Sequence, residues 1–222
     1  MLKGGAMAPL FRPGTDSVLR AFIALALGVP AVSLAGLLLL ARNPLGRGSF
    51  TPREQPLPFD HRHHVGDEGI PCGYCHEGAW HSPVAGVPPT QRCLGCHAQV
   101  WNESARLEPV RASGFDGAPL PWNRVHALPD YVWFSHQIHV NKGVGCVTCH
   151  GRVDTMPAVE QVAPLTMGWC LDCHRDPTPW LRPVSEVANL TWRPSGDPRE
   201  TGRAVQTALG VSPRTDCNTC HF

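Results

Sequence analysis

FSHQIHVNKGVGCVTCHG, running from Phe134 to Gly151, holds three histidines and two cysteines in eighteen positions. Its core is Cys146-Val-Thr-Cys149-His150. A lone C-x-x-C is half of a zinc site or a redox dithiol. The rest of the chain decides between these and a third chemistry. All ten cysteines fall in C-x-x-C-H pentads: Cys72/Cys75/His76, Cys93/Cys96/His97, Cys146/Cys149/His150, Cys170/Cys173/His174 and Cys217/Cys220/His221. Zinc chemistry does not require a histidine directly after each second cysteine, and a dithiol has no use for one repeated five times. Haem c needs all three residues, two thiols for thioether bonds and the adjacent imidazole for the iron. The pentads therefore predict five covalently attached haems.

Composition agrees. The 222 residues include 23 Pro and 22 Gly, a share that would suggest disorder in a chain relying on its own core. Five macrocycles supply apolar plates, and their tethers restrict the unfolded chain much as disulfides do. The expected fold is a mostly irregular, small α multihaem domain, with short helices holding the pentads and long loops around them. The seven Trp are open to two uses, packing on macrocycles or ordinary packing. The formal charge of +1 belongs to the apoprotein. Roughly ten haem propionates would make the holoprotein acidic. No basic cluster interleaved with aromatics points to nucleic acid.

Ala21–Leu40 reads AFIALALGVPAVSLAGLLLL, with no charge until Arg20 and Arg42. Twenty helical residues span about 30 Å, the thickness of a bilayer core. The run is longer than a signal-peptide core and lacks a clear A-x-A cleavage site, so a retained anchor is expected over residues 21–41. Lys3, Arg12 and Arg20 on one side roughly balance Arg42, Arg47 and Arg53 on the other, so the positive-inside rule gives no orientation. Haem c attachment in bacteria takes place outside the cytoplasmic membrane. That places residues 1–20 in the cytoplasm and the haem domain on the periplasmic face of a bacterial inner membrane.

A Pro-rich linker over 42–58 leads into the domain at 59–222, which contains an internal repeat. Phe59-Asp-His61-Arg-His-His64 is matched by Phe134-Ser-His136-Gln-Ile-His139, and each is followed by two pentads. The units cover about 59–97 and 134–174, and a C-terminal segment over 175–222 carries the fifth pentad. The i, i+3 spacing puts each histidine pair on one helical face, where the two rings can serve two different haems. His76, His97, His150, His174 and His221 are the proximal ligands. Candidates for the distal side are His61, His64, His126, His136, His139, Met156 and Met167. No His or Met lies between Arg175 and Asp216, so the fifth haem takes its sixth ligand from upstream or stays five-coordinate. His126 is the leading donor there, with Met156 and Met167 as rivals; His63 and His81 are expected to be bystanders.

The F-x-H-x-x-H followed by C-x-x-C-H resembles the multihaem cytochromes of the c3/c7 class. In those, the first histidine of the pair serves the following haem and the second serves another. VHALPDYVWFSHQIHV, GCVTCHGRVDTM and LTMGWCLDCHR more specifically resemble the pentahaem, membrane-anchored subunit of bacterial alternative complex III. The resemblance implies an electron-transfer subunit of a quinol-oxidising complex rather than a catalyst by itself. Its implied neighbours are an iron–sulfur subunit and polytopic membrane subunits. Its implied acceptor is a periplasmic cytochrome c, copper protein or iron–sulfur protein. A stand-alone tetrahaem quinol dehydrogenase is the alternative, but those proteins carry C-x-x-C-H-x-M, and here Glu77-Gly78 follows His76. A multihaem reductase would need an open iron site, and a haem sensor would need a signalling domain.

Overall fold

The computed structural model describes residues 14–42 and 50–221, in two compact units divided after Arg47. The first 13 residues, part of the linker (43–49) and Phe222 lie outside the described residues, and with them Met1, Met7, Lys3, Arg12 and Arg47.

The first unit is one helix, α1 (Thr15–Arg42), long and apolar enough to cross a membrane. It begins six residues before the apolar run because Asp16 sits in the first turn and pairs with Arg20 across one turn at 2.9 Å. Its leucines, valines and phenylalanine are exposed along its length, as a lipid-facing segment requires. Pro30 lies inside the helix, a position tolerated in membrane helices.

The second unit is built from short helices and loops, and among the described residues it has no strand, only two isolated bridges, Val132–His221 and Val144–Leu181. Each pentad lies in a helical turn. Cys72–Cys75 is α2, and the second pentad ends α3 (Thr90–His97). The third pentad is α6 (Cys146–His150), the fourth lies in α7 (Met167–Arg175), and Cys217–Thr219 is a single 3₁₀ turn. The remaining helices are α4 (Glu108–Asp116), α5 (His136–Asn141) and α8 (Pro198–Ala208). Local chemistry explains their ends. Pro71 and Pro89 precede α2 and α3, while Thr166 and Asp197 accept backbone N–H groups at the starts of α7 and α8. Gly117, in the left-handed region, stops α4.

The two repeat units interlock. α5 packs on the 3₁₀ turn Glu77–Trp80 that follows the first pentad, where Ala79, Val140 and Val187 form a small buried cluster. Asn141 donates to the Trp80 carbonyl at 3.1 Å. The turn Arg62–Asp67 rests on Val153–Thr155, with Gly66 directly against the Asp154 carbonyl. The C-terminal segment folds back on the second unit: Trp133 N–H donates to the Cys220 carbonyl at 2.8 Å and Lys142 to the Leu209 carbonyl at 2.6 Å.

Gly202 of α8 is buried against the Thr178 backbone so closely that any Cβ would overlap it. Gly202→Ala is therefore expected to destabilise the protein by about 1–3 kcal/mol through overpacking. Thermal unfolding followed by circular dichroism checks this, with Gly196→Ala, where nothing lies in the way, as the neutral control.

Candidate functional site

The histidines of the F-x-H-x-x-H pairs are arranged alike in both units. Phe59 stacks on His64 (ring centroids 4.4 Å apart) and meets His61 edge-on at 4.7 Å. Phe134 stacks on His139 at 4.5 Å and meets His136 edge-on at 4.9 Å. His64 and His139 each turn Nδ1 to the carbonyl four residues back, Asp60 at 2.9 Å and Ser135 at 2.7 Å. One phenylalanine thus orients two imidazoles in each unit.

Three of these rings then face a pentad histidine. The centroid separations are 6.1 Å for His64–His97, 6.3 Å for His136–His150 and 6.0 Å for His139–His174. Two imidazoles on opposite faces of one metal, each nitrogen about 2 Å from it, have centroids about 6 Å apart. His61 lies near His76 and His64, and its Nδ1 is buried without a partner.

The ring nitrogens are set for this role. Nδ1 of His76, His97, His174 and His221 hydrogen-bonds the carbonyls of Gly86 (2.8 Å), Val100 (3.0 Å), Arg214 (2.8 Å) and Tyr131 (3.1 Å). His136 does the same to Pro83 at 3.0 Å. A carbonyl accepts only, so Nδ1 carries the proton and Nε2 keeps its lone pair for a metal. Burial, and then the neighbouring His126, His136, His76 and His61, push the His150 imidazole down to about 3. Burial, and then His76, push His61 down to about 4. Burial also lowers His126 and His139. These rings are neutral at physiological pH, as ligation demands.

Burial raises the thiols of Cys72, Cys75, Cys93, Cys146, Cys149, Cys170 and Cys173, the opposite signature from a redox dithiol, whose thiol is activated by a lowered pKa. Burial pushes Cys149 up to about 12 and Cys146 up to about 11. All ten are unpaired, and among the described residues no three His, Cys, Asp or Glu side chains converge as a bare-ion site would need. Beside Cys72 lies a cavity of about 330 Å³ lined by Pro71, Cys72, Gly73, Glu77, Trp80, His81 and Ala188. The donor set and the ring spacing fit haem c.

The five pentads follow one another in space in the order second, first, third, fourth, fifth. His61 and His64, three residues apart, link the first and second. His136 bonds Pro83, just beyond the first pentad, while its ring faces His150 of the third. α5 offers His139 to the fourth, and the fourth's His174 is held by Arg214, three residues before the fifth. Thiols that feel one another trace the same line: Cys75 with Cys93, Cys72 with Cys146, Cys149 with Cys173, and Cys170 with Cys220.

The ten thiols differ in exposure. Cys96, in the last turn of α3, is exposed, whereas its pentad partner Cys93 and seven of the other cysteines are half-buried. Cys217 is the second exposed thiol. The physical reason is position: Cys96 belongs to the second pentad and Cys217 to the fifth, the two ends of the line.

Other sequence candidates sit differently. His126 is the leading sequence candidate for the fifth haem, yet its ring lies 4.3 Å from His150, with Nε2 buried and unpartnered. His221 has Tyr131 as its ring neighbour instead, at 5.8 Å. The Met156 methyl rests beside Gly151, at the end of the third pentad. Met167 opens α7, 68% exposed. His63 pairs loosely with Asp67 at 3.7 Å and stacks on Trp101, whereas His81, expected to be a bystander, lines the cavity at Cys72. Arg182, buried beside the third pentad, escapes sequence reasoning because no motif marks it.

Comparison with known proteins agrees with this geometry. Residues 132–222 match the family of cytochrome c7 and related cytochrome c. Over 104 residues the chain is 36% identical to the multihaem cytochrome c subunit of the menaquinone reductase of Nitratidesulfovibrio vulgaris. That match takes in 46% of this chain and 48% of the relative, so the chain spans about half the length of the curated relative it matches. The chain thus carries a small helical, c7-like multihaem cytochrome domain, matched over residues 132–222, with imidazoles set in facing pairs.

Proposed function

We propose that this chain is a membrane-anchored pentahaem cytochrome c that relays electrons within a quinol-oxidising complex of the alternative complex III type to a periplasmic acceptor. The observation that carries it is the set of three facing imidazole pairs at 6.0–6.3 Å, strung along one continuous line of pentads. The relative's name, a menaquinone reductase subunit, supports the link to quinones and to a membrane complex.

In this reading the ten pentad cysteines form the thioethers, the exposed Cys96 and Cys217 included, and His76, His97, His150, His174 and His221 are proximal ligands. His61, His64, His136 and His139 serve the first, second, third and fourth haems on the distal side. His126 stands beside His150 as a third imidazole. Met167 is the remaining thioether for the fifth haem, since Met156 is held at the third pentad. Haem c, when bound, exchanges single electrons without making or breaking substrate bonds. The protein holds the imidazoles neutral and fixes their tautomers through backbone carbonyls. The phenylalanines lock ring orientation, and burial of His150 and His139 keeps water from the central pentads. A side chain so constrained reorganises little when charge arrives nearby.

α1 anchors the chain, with residues before it in the cytoplasm and those from about 42 onward in the periplasm. Partners are an iron–sulfur subunit, polytopic membrane subunits that pack against α1, and a cytochrome c, copper protein or iron–sulfur protein as acceptor. A native gel of membranes in mild detergent, stained for haem and analysed by mass spectrometry, tests this. A large band containing an iron–sulfur subunit and polytopic partners is expected. A small band holding this chain alone, or with one periplasmic reductase, would replace the proposal with a stand-alone quinol dehydrogenase.

A further inference from the structure

Arg182 is 7% exposed. Its backbone N–H donates to the Gly143 carbonyl at 2.9 Å, next to the Val144–Leu181 bridge. Its guanidinium lies against Gly145, the residue immediately before Cys146, where a Cβ would strike it. Nη1 donates to the Asn189 carbonyl at 3.0 Å, the group sits 5.1 Å over the Trp192 ring, and Nε is buried with no acceptor. Among the described residues no carboxylate pairs with it. Glu186, the acidic neighbour, accepts instead from Asn189 at 2.9 Å, and Arg193 adds a second positive charge nearby. A buried charge is costly to desolvate, and its field is weakly screened.

We propose that Arg182 is a positioning residue for charge, its buried guanidinium raising the reduction potential of the haem attached at Cys146 and Cys149. This rests on the pentahaem reading and deepens it. Reduction adds one electron to that haem, and a positive charge in a poorly screened site stabilises the electron-richer form. The third pentad stands in the middle of the line, so Arg182 sets how readily the central position holds an electron.

The test is a mediated spectroelectrochemical titration of the full-length holoprotein and its variants, with dithionite as reductant and ferricyanide as oxidant. Haem content per chain is measured in each sample. Arg182→Gln is expected to move one of five component potentials downward and leave four in place, and Arg182→Lys, which keeps the charge, to restore most of the shift. Unchanged potentials in the Gln variant would overturn the proposal. So would a Lys variant as low as the Gln variant, because a hydrogen-bonding role predicts that result. If Arg182→Gln fails to assemble, Glu186→Gln decides. Removing the nearby negative charge is expected to raise one potential, and no shift overturns the proposal. A wild-type protein with no haem on a Cys146–Cys149 peptide would refute the pentahaem reading itself, independently of Arg182.

Discussion

With Cys146 and Cys149 both changed to serine, the protein is expected to carry four haems instead of five and to lose electronic contact between its two ends. The third pentad sits between the first, reached through His136 and Pro83, and the fourth, reached through His139 on the same helix. Rapid-mixing reduction should therefore change from one connected process to two kinetically separate populations. Stability falls as well, because two thioether tethers and the packing around His150 go with the haem. By analogy with removal of a native disulfide, the loss is about 2–5 kcal/mol. Haem content per chain and the reduction traces check this. A four-haem protein that reduces as a single connected population would contradict the linear order of sites.

Replacing His139 with alanine is expected to turn one haem in five from low to high spin and to leave the other four unchanged. His139 is held between Phe134 at 4.5 Å and its Ser135 hydrogen bond, facing His174 at 6.0 Å. Among the described residues His174 has no second ring neighbour, so nothing stands ready to replace the lost imidazole. His136→Ala differs in an informative way. His126 already lies 4.3 Å from His150 and is positioned to compete for the vacated place, so its high-spin fraction should be smaller. His63→Ala, at a half-buried ring stacked on Trp101, should leave the spectrum as it was. Absorption and electron paramagnetic resonance spectra of the three variants distinguish these outcomes. A fully low-spin His139→Ala protein would remove His139 from the ligand set.

Legibility in the sequence followed the range of the interactions. The pentads were readable because covalent chemistry demands Cys, Cys and His at fixed spacing, and a helical turn then follows from that spacing alone. The spacing says nothing of burial, so the exposure of Cys96 against the half-buried Cys93 emerges only from its place at the end of the line. The paired histidines were readable because the repeat placed Phe59 and Phe134 at the same distance from two imidazoles, and the structure stacks both alike. Long-range backbone contacts left no such trace. That His174 takes the carbonyl of Arg214, or His221 that of Tyr131, depends on loops that any sequence of suitable length can form. Elimination makes His126 the leading candidate for the fifth haem, with Met156 and Met167 as rivals, and its position against His150 depends on how the loop before Tyr131 is folded. Arg182 had no local marker, since its meaning lies in Gly145 and Asn189, which reach it through the fold. The start of α1 at Thr15 shows the same limit on a smaller scale, because the Asp16–Arg20 pair extends a helix that hydropathy alone begins later.

The intact mass of the denatured holoprotein tests the central claim most directly, because thioether-bound haem survives unfolding. The account predicts the mass of the polypeptide plus five haems, with each of Cys72/Cys75, Cys93/Cys96, Cys146/Cys149, Cys170/Cys173 and Cys217/Cys220 found on a haem-bearing peptide. A mass with four or fewer, or any pentad recovered as free thiols or bound to zinc, would contradict it.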